Sequence, residues 1–125
     1  MSRFKICLDP TYTTLPASLF SKLSPTPVSE PKLIIYNQNL ADELGLDLGN
    51  ISEKERTHFL SGNRVPEGTT PFAQAYAGHQ FGNFTVLGDG RAIVLGEFLS
   101  PAGQRFDLQL KGSGRTPYSR GGDGR

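Results

Sequence analysis

A single cysteine, Cys7, stands in 125 residues, so no internal disulfide can form and a reducing compartment suits the chain. With His58 and His79 as its only histidines, the sequence has no spacing typical of metal ligands. Apolar runs are only a few residues long, which excludes a bilayer-spanning helix. The opening MSRFKICLDPTYTT has no apolar h-region and no Arg-rich amphipathic pattern, so it reads as no targeting segment. Internal repeats are missing as well. So is an excess of charge: 13 Lys and Arg face 12 Asp and Glu, a net +1 that sets up no global field for nucleic acid or membrane. These absences together predict a cytoplasmic protein with neither kind of partner.

The length suits one domain or one lobe of a larger one. Hydrophobic residues make up 36%, enough for a modest core. Gly (15) and Pro (9) exceed ordinary usage without reaching low complexity. Charge is unevenly placed: Lys111 to Arg125 holds one lysine, three arginines and a single acid, Asp123, while the rest of the chain is slightly acidic. A local anion site is a better expectation than a basic surface.

Three stretches differ in texture. Residues 1–31 are irregular and proline-punctuated; the spread of Phe4, Leu8, Leu15, Leu19, Phe20 and Leu23 suits either a segment laid over a larger body or a loose leader. Residues 32–81 read as a strand and short helices. KLIIYN (32–37) is the strand candidate. Asn37 caps a helix QNLADEL that stops at Gly45, with Leu40 and Leu44 one turn apart. Ser52 and Glu55 form a capping box for SEKERTHFLS, which stops at Gly62. FAQAYAGHQFG reads as a helix broken at Gly78, and His79 and His58 as structural residues. Residues 82–125 alternate: NFTVL, a GDG turn of the type I′ hairpin kind, the return strand RAIVLGEF, a looser LSPAGQ turn, and RFDLQLK. In the last strand Phe106, Leu108 and Leu110 face one way and Asp107, Gln109 and Lys111 the other. The expected architecture is α+β, an antiparallel meander with short helices, forming an incomplete domain.

Gly88 and Gly90 let a backbone approach a phosphate, and Arg91 adds a planar donor fork. The stretch is neither a Walker A loop nor a dinucleotide fingerprint, and a plain hairpin turn is the simpler account. Lys111 ends a later strand, in the order of a protein-kinase amino-terminal lobe, where a glycine loop covers phosphates and a strand lysine neutralises them. A solvated strand-end lysine is the alternative. The terminal loop adds Gly112, Gly114, Gly121, Gly122 and Gly124 as backbone donors, Arg115, Arg120 and Arg125 as charge, and Thr116, Tyr118 and Ser119 as hydroxyls. Its glycines raise the entropy cost of ordering it, which predicts a poorly ordered tail in this chain alone. RNA stacking on Tyr118 is a further reading, weakened by the neutral balance.

The stretches FAQAYAGHQFGNFTVLGDGRAIVLGE and LQLKGSGRTPYSRGGDGR, with YNQNLADELGLDL before them, resemble the selenoprotein O family of pseudokinase-fold protein adenylyltransferases. The resemblance covers the chain from about residue 31 on. It implies a kinase-like amino-terminal lobe and transfer of AMP from ATP to Ser, Thr or Tyr hydroxyls of proteins, with Mg2+ or Mn2+ and with ATP reversed relative to an ordinary kinase. Carried over, the nucleotide contacts are Gly88, Gly90, Arg91, Lys111, Asp123 and Gly124. The family's glutamate partner for the lysine, its catalytic aspartate and its metal ligands are expected beyond Arg125, so this chain is expected to be an amino-terminal fragment with no catalytic or metal residue of its own. A non-catalytic nucleotide- or phosphate-binding module and an ordinary kinase are the alternatives.

Overall fold

Both short helices form where their caps predict. In the computed structural model, which describes residues 8–9, 11–80 and 83–125 (backbone alone for 76–80 and 83–86), α1 spans Gln38–Leu44 and α2 spans Glu53–Ser61. Asn37 accepts from the Leu40 amide and Ser52 from the Glu55 amide, satisfying amides that the first helical turn leaves unpaired. Left-handed Gly45 and Gly62 end the two helices. In α1 the inward residue is Ala41 rather than the expected leucines, and Leu40 is largely exposed.

The strands are β1 (Phe20–Lys22), β2 (Phe72–Gln80), β3 (Asn83–Gly88), β4 (Ala92–Leu99) and β5 (Arg105–Lys111). Two expectations fail here. KLIIYN is not a strand: Ile34 and Ile35 are almost fully exposed, and only Leu33 and Tyr36 turn partly inward. FAQAYAGHQ is not a helix but β2. Its alanines and glutamine suit a helix locally, yet antiparallel pairing with β1, β3 and β4 along its length overrides that preference.

The meander is also wired differently from the expectation. β3 pairs with β2, not with β4, and β4 pairs with β5. Both β3 and β4 run antiparallel to β2, so the chain does not reverse at Gly88-Asp89-Gly90. Gly88 lies opposite Ala75 and Val94 opposite Phe72, so the residues between them on β3–β4 outnumber those on β2 and are accommodated as a jog. The hairpins are β2–β3 and β4–β5. The β4–β5 turn is the looser one expected, closed by the Ser100 amide donating to the Gln104 carbonyl at 2.8 Å.

β4 is buried on both faces. On one side Leu95 joins Leu48, Ile51, Phe59 and Leu110, so α2 and the loop between the two helices cover that face. On the other side Val94 packs with Phe72 and Phe20, and Tyr12 stacks on Phe72 with ring centroids 4.9 Å apart. The described part of the amino-terminal segment, from residue 8 on (Phe4 lies outside the described residues), is therefore laid over the sheet, not loose. It is held further by Asp9 bridging Glu97, by Thr26 donating to Ser113, and by a two-way hydrogen bond between Val28 and Asn63. In β5 the expected alternation is present and graded: Leu110 is buried, Leu108 half-buried, and Phe106 exposed at the edge but stacked near Phe98.

Candidate functional site

The jog between β3 and β4 is fixed by one side chain. The Asp89 amide donates to the Gln74 carbonyl at 2.8 Å, and the Asp89 carboxylate accepts from the Gln74 amide at 3.0 Å. Asp89 thereby completes β2's hydrogen bonding where β3 leaves it, and no reversing turn can form. Neither Gly88 nor Gly90 has the positive φ that a type I′ turn would need. Both positions still exclude a side chain, for a different reason. A Cβ on Gly88 would lie within 2.6 Å of three Tyr118 ring atoms, and one on Gly90 would lie 2.8 Å from the Tyr118 carbonyl oxygen.

Tyr118 belongs to the glycine- and arginine-rich segment after β5, which folds back over the jog. The Gly112 amide donates to the Arg91 carbonyl at 2.7 Å. Thr116 Oγ1 donates to the Asp89 carbonyl at 2.5 Å and Ser119 Oγ to the Gly90 carbonyl at 2.6 Å. The same two oxygens accept from the Tyr118 and Thr116 amides, so the turn is tied to itself and to the jog. Tyr118 Oη lies 3.1 Å from Ser21 Oγ on β1. Farther along, Arg115 Nε donates to the Gly122 carbonyl, and Asp123 accepts from the Arg125 amide. Gly124, with φ 76°, packs so closely on the Gly114 carbonyl that no Cβ would fit. The segment expected to be poorly ordered is thus held by a hydrogen bond every few residues.

These contacts gather the six residues singled out from the sequence. Lys111 lies directly opposite Ala92, beside Arg91, at the end of the β4–β5 pair. Gly88, Gly90 and Arg91 form the jog. Arg125 lies against Gly112, which places the Asp123–Gly124 stretch alongside. Arg91, Lys111, Arg115, Arg120 and Arg125 form no ion pair among the described residues, where the ion pairs join Arg105 to Asp9 and Glu97. Against these five cations stand only Asp89 and Asp123, so this end of the sheet has cations in excess. Among the described residues the Gly90 and Arg91 amides donate to no backbone carbonyl. Such an end attracts an anion.

Shifted ionisable groups lie elsewhere. Glu97 is held below the usual carboxylate range, chiefly by the Thr11 hydroxyl and further by Arg105, against the opposing effect of burial. That cluster fastens the amino-terminal segment to β4. No three His, Cys, Asp or Glu side chains stand together to hold a metal ion among the described residues. Asp89 and Asp123 are the acids nearest the loop, and without a third ligating side chain the described residues do not fit a divalent metal site. His58 is half-buried on α2. The side chain of His79, and Cys7, lie outside the described residues. No helix among the described residues is long and apolar enough to cross a membrane.

The family described as protein adenylyltransferase SelO matches residues 2–125. The chain belongs to the SelO family. Its relatives include proteins named protein nucleotidyltransferase YdiU from Brevibacillus brevis, 63% identical over 117 residues, and from Anoxybacillus flavithermus, 61% identical over 117 residues. A third, from Clostridium beijerinckii, is 59% identical over 118 residues. Each alignment takes in 94% of this chain and 24% of the relative, so the SelO chain described here spans about a quarter of the length of the curated relatives it matches. Sequence reasoning noted Thr116, Tyr118 and Ser119 as hydroxyls, and Tyr118 also as a stacking platform for RNA. Their i, i+3 Thr/Ser spacing, typical of side chains that bond a local turn, was the signal available for their role.

Proposed function

We propose that this SelO chain forms one wall of the ATP site of a protein adenylyltransferase, built as a kinase-like amino-terminal lobe. The observation that carries the reading is the meeting of Lys111, Arg91 and the Gly88–Gly90 jog at one end of the sheet, with no carboxylate among the described residues pairing either cation. In AMP transfer a protein hydroxyl oxygen bonds to the α-phosphorus while the α–β phosphoanhydride bond breaks and pyrophosphate leaves. Negative charge builds on the phosphate oxygens, and pre-placed cations and amides are worth most against such developing charge. Lys111 acts as a point charge, Arg91 as a two-pronged donor, and the Gly90 and Arg91 amides as fixed dipoles. Gly124 lets the Asp123 loop close against Gly114. The reading takes ATP as substrate, with a divalent Mg2+ or Mn2+, and hydroxyl-bearing proteins as acceptors, in the cytoplasm. No step is assigned to the metal, because the described residues of this chain do not fit one.

The test is a chimera in which residues 2–125 replace the matching segment of the full-length Brevibacillus brevis relative. Incubated with ATP, divalent metal and an acceptor protein, it should add AMP, which mass spectrometry separates from the smaller phosphate of an ordinary kinase. Lys111→Ala should lower transfer by about 100-fold or more with an unchanged melting temperature, because Lys111 is exposed and its loss opens no cavity. Undiminished transfer by that variant would remove Lys111 from the site, and ATP binding with no transfer would favour a non-catalytic nucleotide module.

A further inference from the structure

We infer that Thr116 and Ser119 are positioning residues that aim the backbone amides of the jog at the nucleotide phosphates; the inference rests on the ATP-site reading above. A trans peptide is planar, with its C=O and N–H on opposite sides, and the described chain has no cis bond. Thr116 Oγ1 holds the Asp89 carbonyl and Ser119 Oγ holds the Gly90 carbonyl. Those carbonyls belong to the same peptide planes as the Gly90 and Arg91 N–H groups. Two consecutive planes are therefore pinned with their N–H groups facing away from the 116–119 turn. Neither amide is satisfied by a backbone carbonyl among the described residues.

Other anchors of the jog leave these two planes unset. Asp89 fixes its own amide and carboxylate to Gln74, one peptide earlier. Gly112 holds the Arg91 carbonyl, one peptide later. Gly90 has no side chain to restrict it and would otherwise sample many orientations. The two hydroxyls are themselves fixed, since Thr116 Oγ1 also accepts from the Tyr118 amide and Ser119 Oγ from the Thr116 amide. Thr116 is 4% exposed, so water does not readily replace its bond. Neither side chain needs to touch the nucleotide; each acts through the peptide it orients.

The chimera described above tests this with Thr116→Val, Ser119→Ala and Thr116→Ser. Valine keeps the shape of threonine but cannot donate; serine restores the donor. Loss of one such hydrogen bond should raise the KM for ATP about threefold to tenfold, with a smaller change in kcat and no change in the KM for the acceptor protein. Thr116→Ser should return the KM for ATP to within about twofold of the parent, a residual set by the lost methyl contact and well short of losing the bond. If Thr116→Val and Ser119→Ala lower the melting temperature but leave the KM for ATP unchanged, the turn is a structural clasp and the inference is overturned. If the unsubstituted chimera fails to bind ATP, the ATP-site reading itself falls, and this inference with it.

Discussion

Gly88→Ala isolates the contact that holds the terminal loop to the sheet. The new methyl would sit within 2.6 Å of Tyr118 Cγ, Cδ1 and Cδ2, about 1 Å inside the ordinary carbon–carbon contact distance. The backbone at Gly88 is not in the left-handed region, so alanine brings no left-handed strain, and the nearest atoms it meets are those of the ring. Overpacking of this kind costs about 1–3 kcal/mol. Displacing the ring also breaks the hydrogen bond between Tyr118 and Ser21, worth roughly 0.5–1.5 kcal/mol. The expected loss is therefore about 1.5–4.5 kcal/mol, read by urea denaturation of the chain. The decisive measurement is the same substitution in a Tyr118→Ala background, where the methyl meets no ring. There Gly88→Ala should cost less than about 0.5 kcal/mol, the usual scale for a substitution without a clash. Equal losses in both backgrounds would show that the close approach of Tyr118 is not what demands glycine, and the account of residue 88 would be wrong.

Two further outcomes follow from contacts at either end of the molecule. Glu97 has a lowered pKa when folded, so its contribution is present above the unfolded carboxylate value and disappears as pH falls through the lower folded one. Melting temperature should accordingly drop more steeply below about pH 4.3 in the parent than in Glu97→Gln, and parallel profiles would refute the role given to the Thr11–Glu97–Arg105 cluster. Gly124→Ala combines a left-handed φ of 76° with a Cβ buried in the Gly114 carbonyl, a cost of about 2–5 kcal/mol. Limited proteolysis should then cut within residues 112–125 much faster than in the parent, and an unchanged rate would show that the segment does not depend on that packing.

Local chemistry made the helices legible, because Asn37 with Gly45 and Ser52 with Gly62 mark both ends of each helix. The sheet was less so. Ile34 and Ile35 look like a strand, but a strand needs an edge to pair with, and no local pattern reveals its absence. β2 was misread because Ala73, Ala75 and Ala77 favour helix, whereas its pairing partners lie elsewhere in the chain. At Asp89 a turn signal was outweighed by two hydrogen bonds to Gln74, 15 positions away. For the site, the order of glycines, Arg91 and Lys111 was visible, since strand alternation alone places Lys111 on the polar face. The clasp by Thr116 and Ser119 was not, because it joins segments 27 and 29 positions apart that periodicity cannot connect.

The bond between Ser21 and Tyr118 spans 97 positions, and that span carries a consequence in time. A chain leaving the ribosome amino-terminus first, at about 5–20 residues per second, waits roughly 5–20 s between making the two partners. Closing so long a loop is also entropically expensive compared with forming a helix or hairpin. During that interval β1 and β2 can pair, but the jog stays uncovered. The two caps on Asp89 and Gly90 are made after all five strands, so an anion-binding end would be finished only once the strands it rests on have been synthesised.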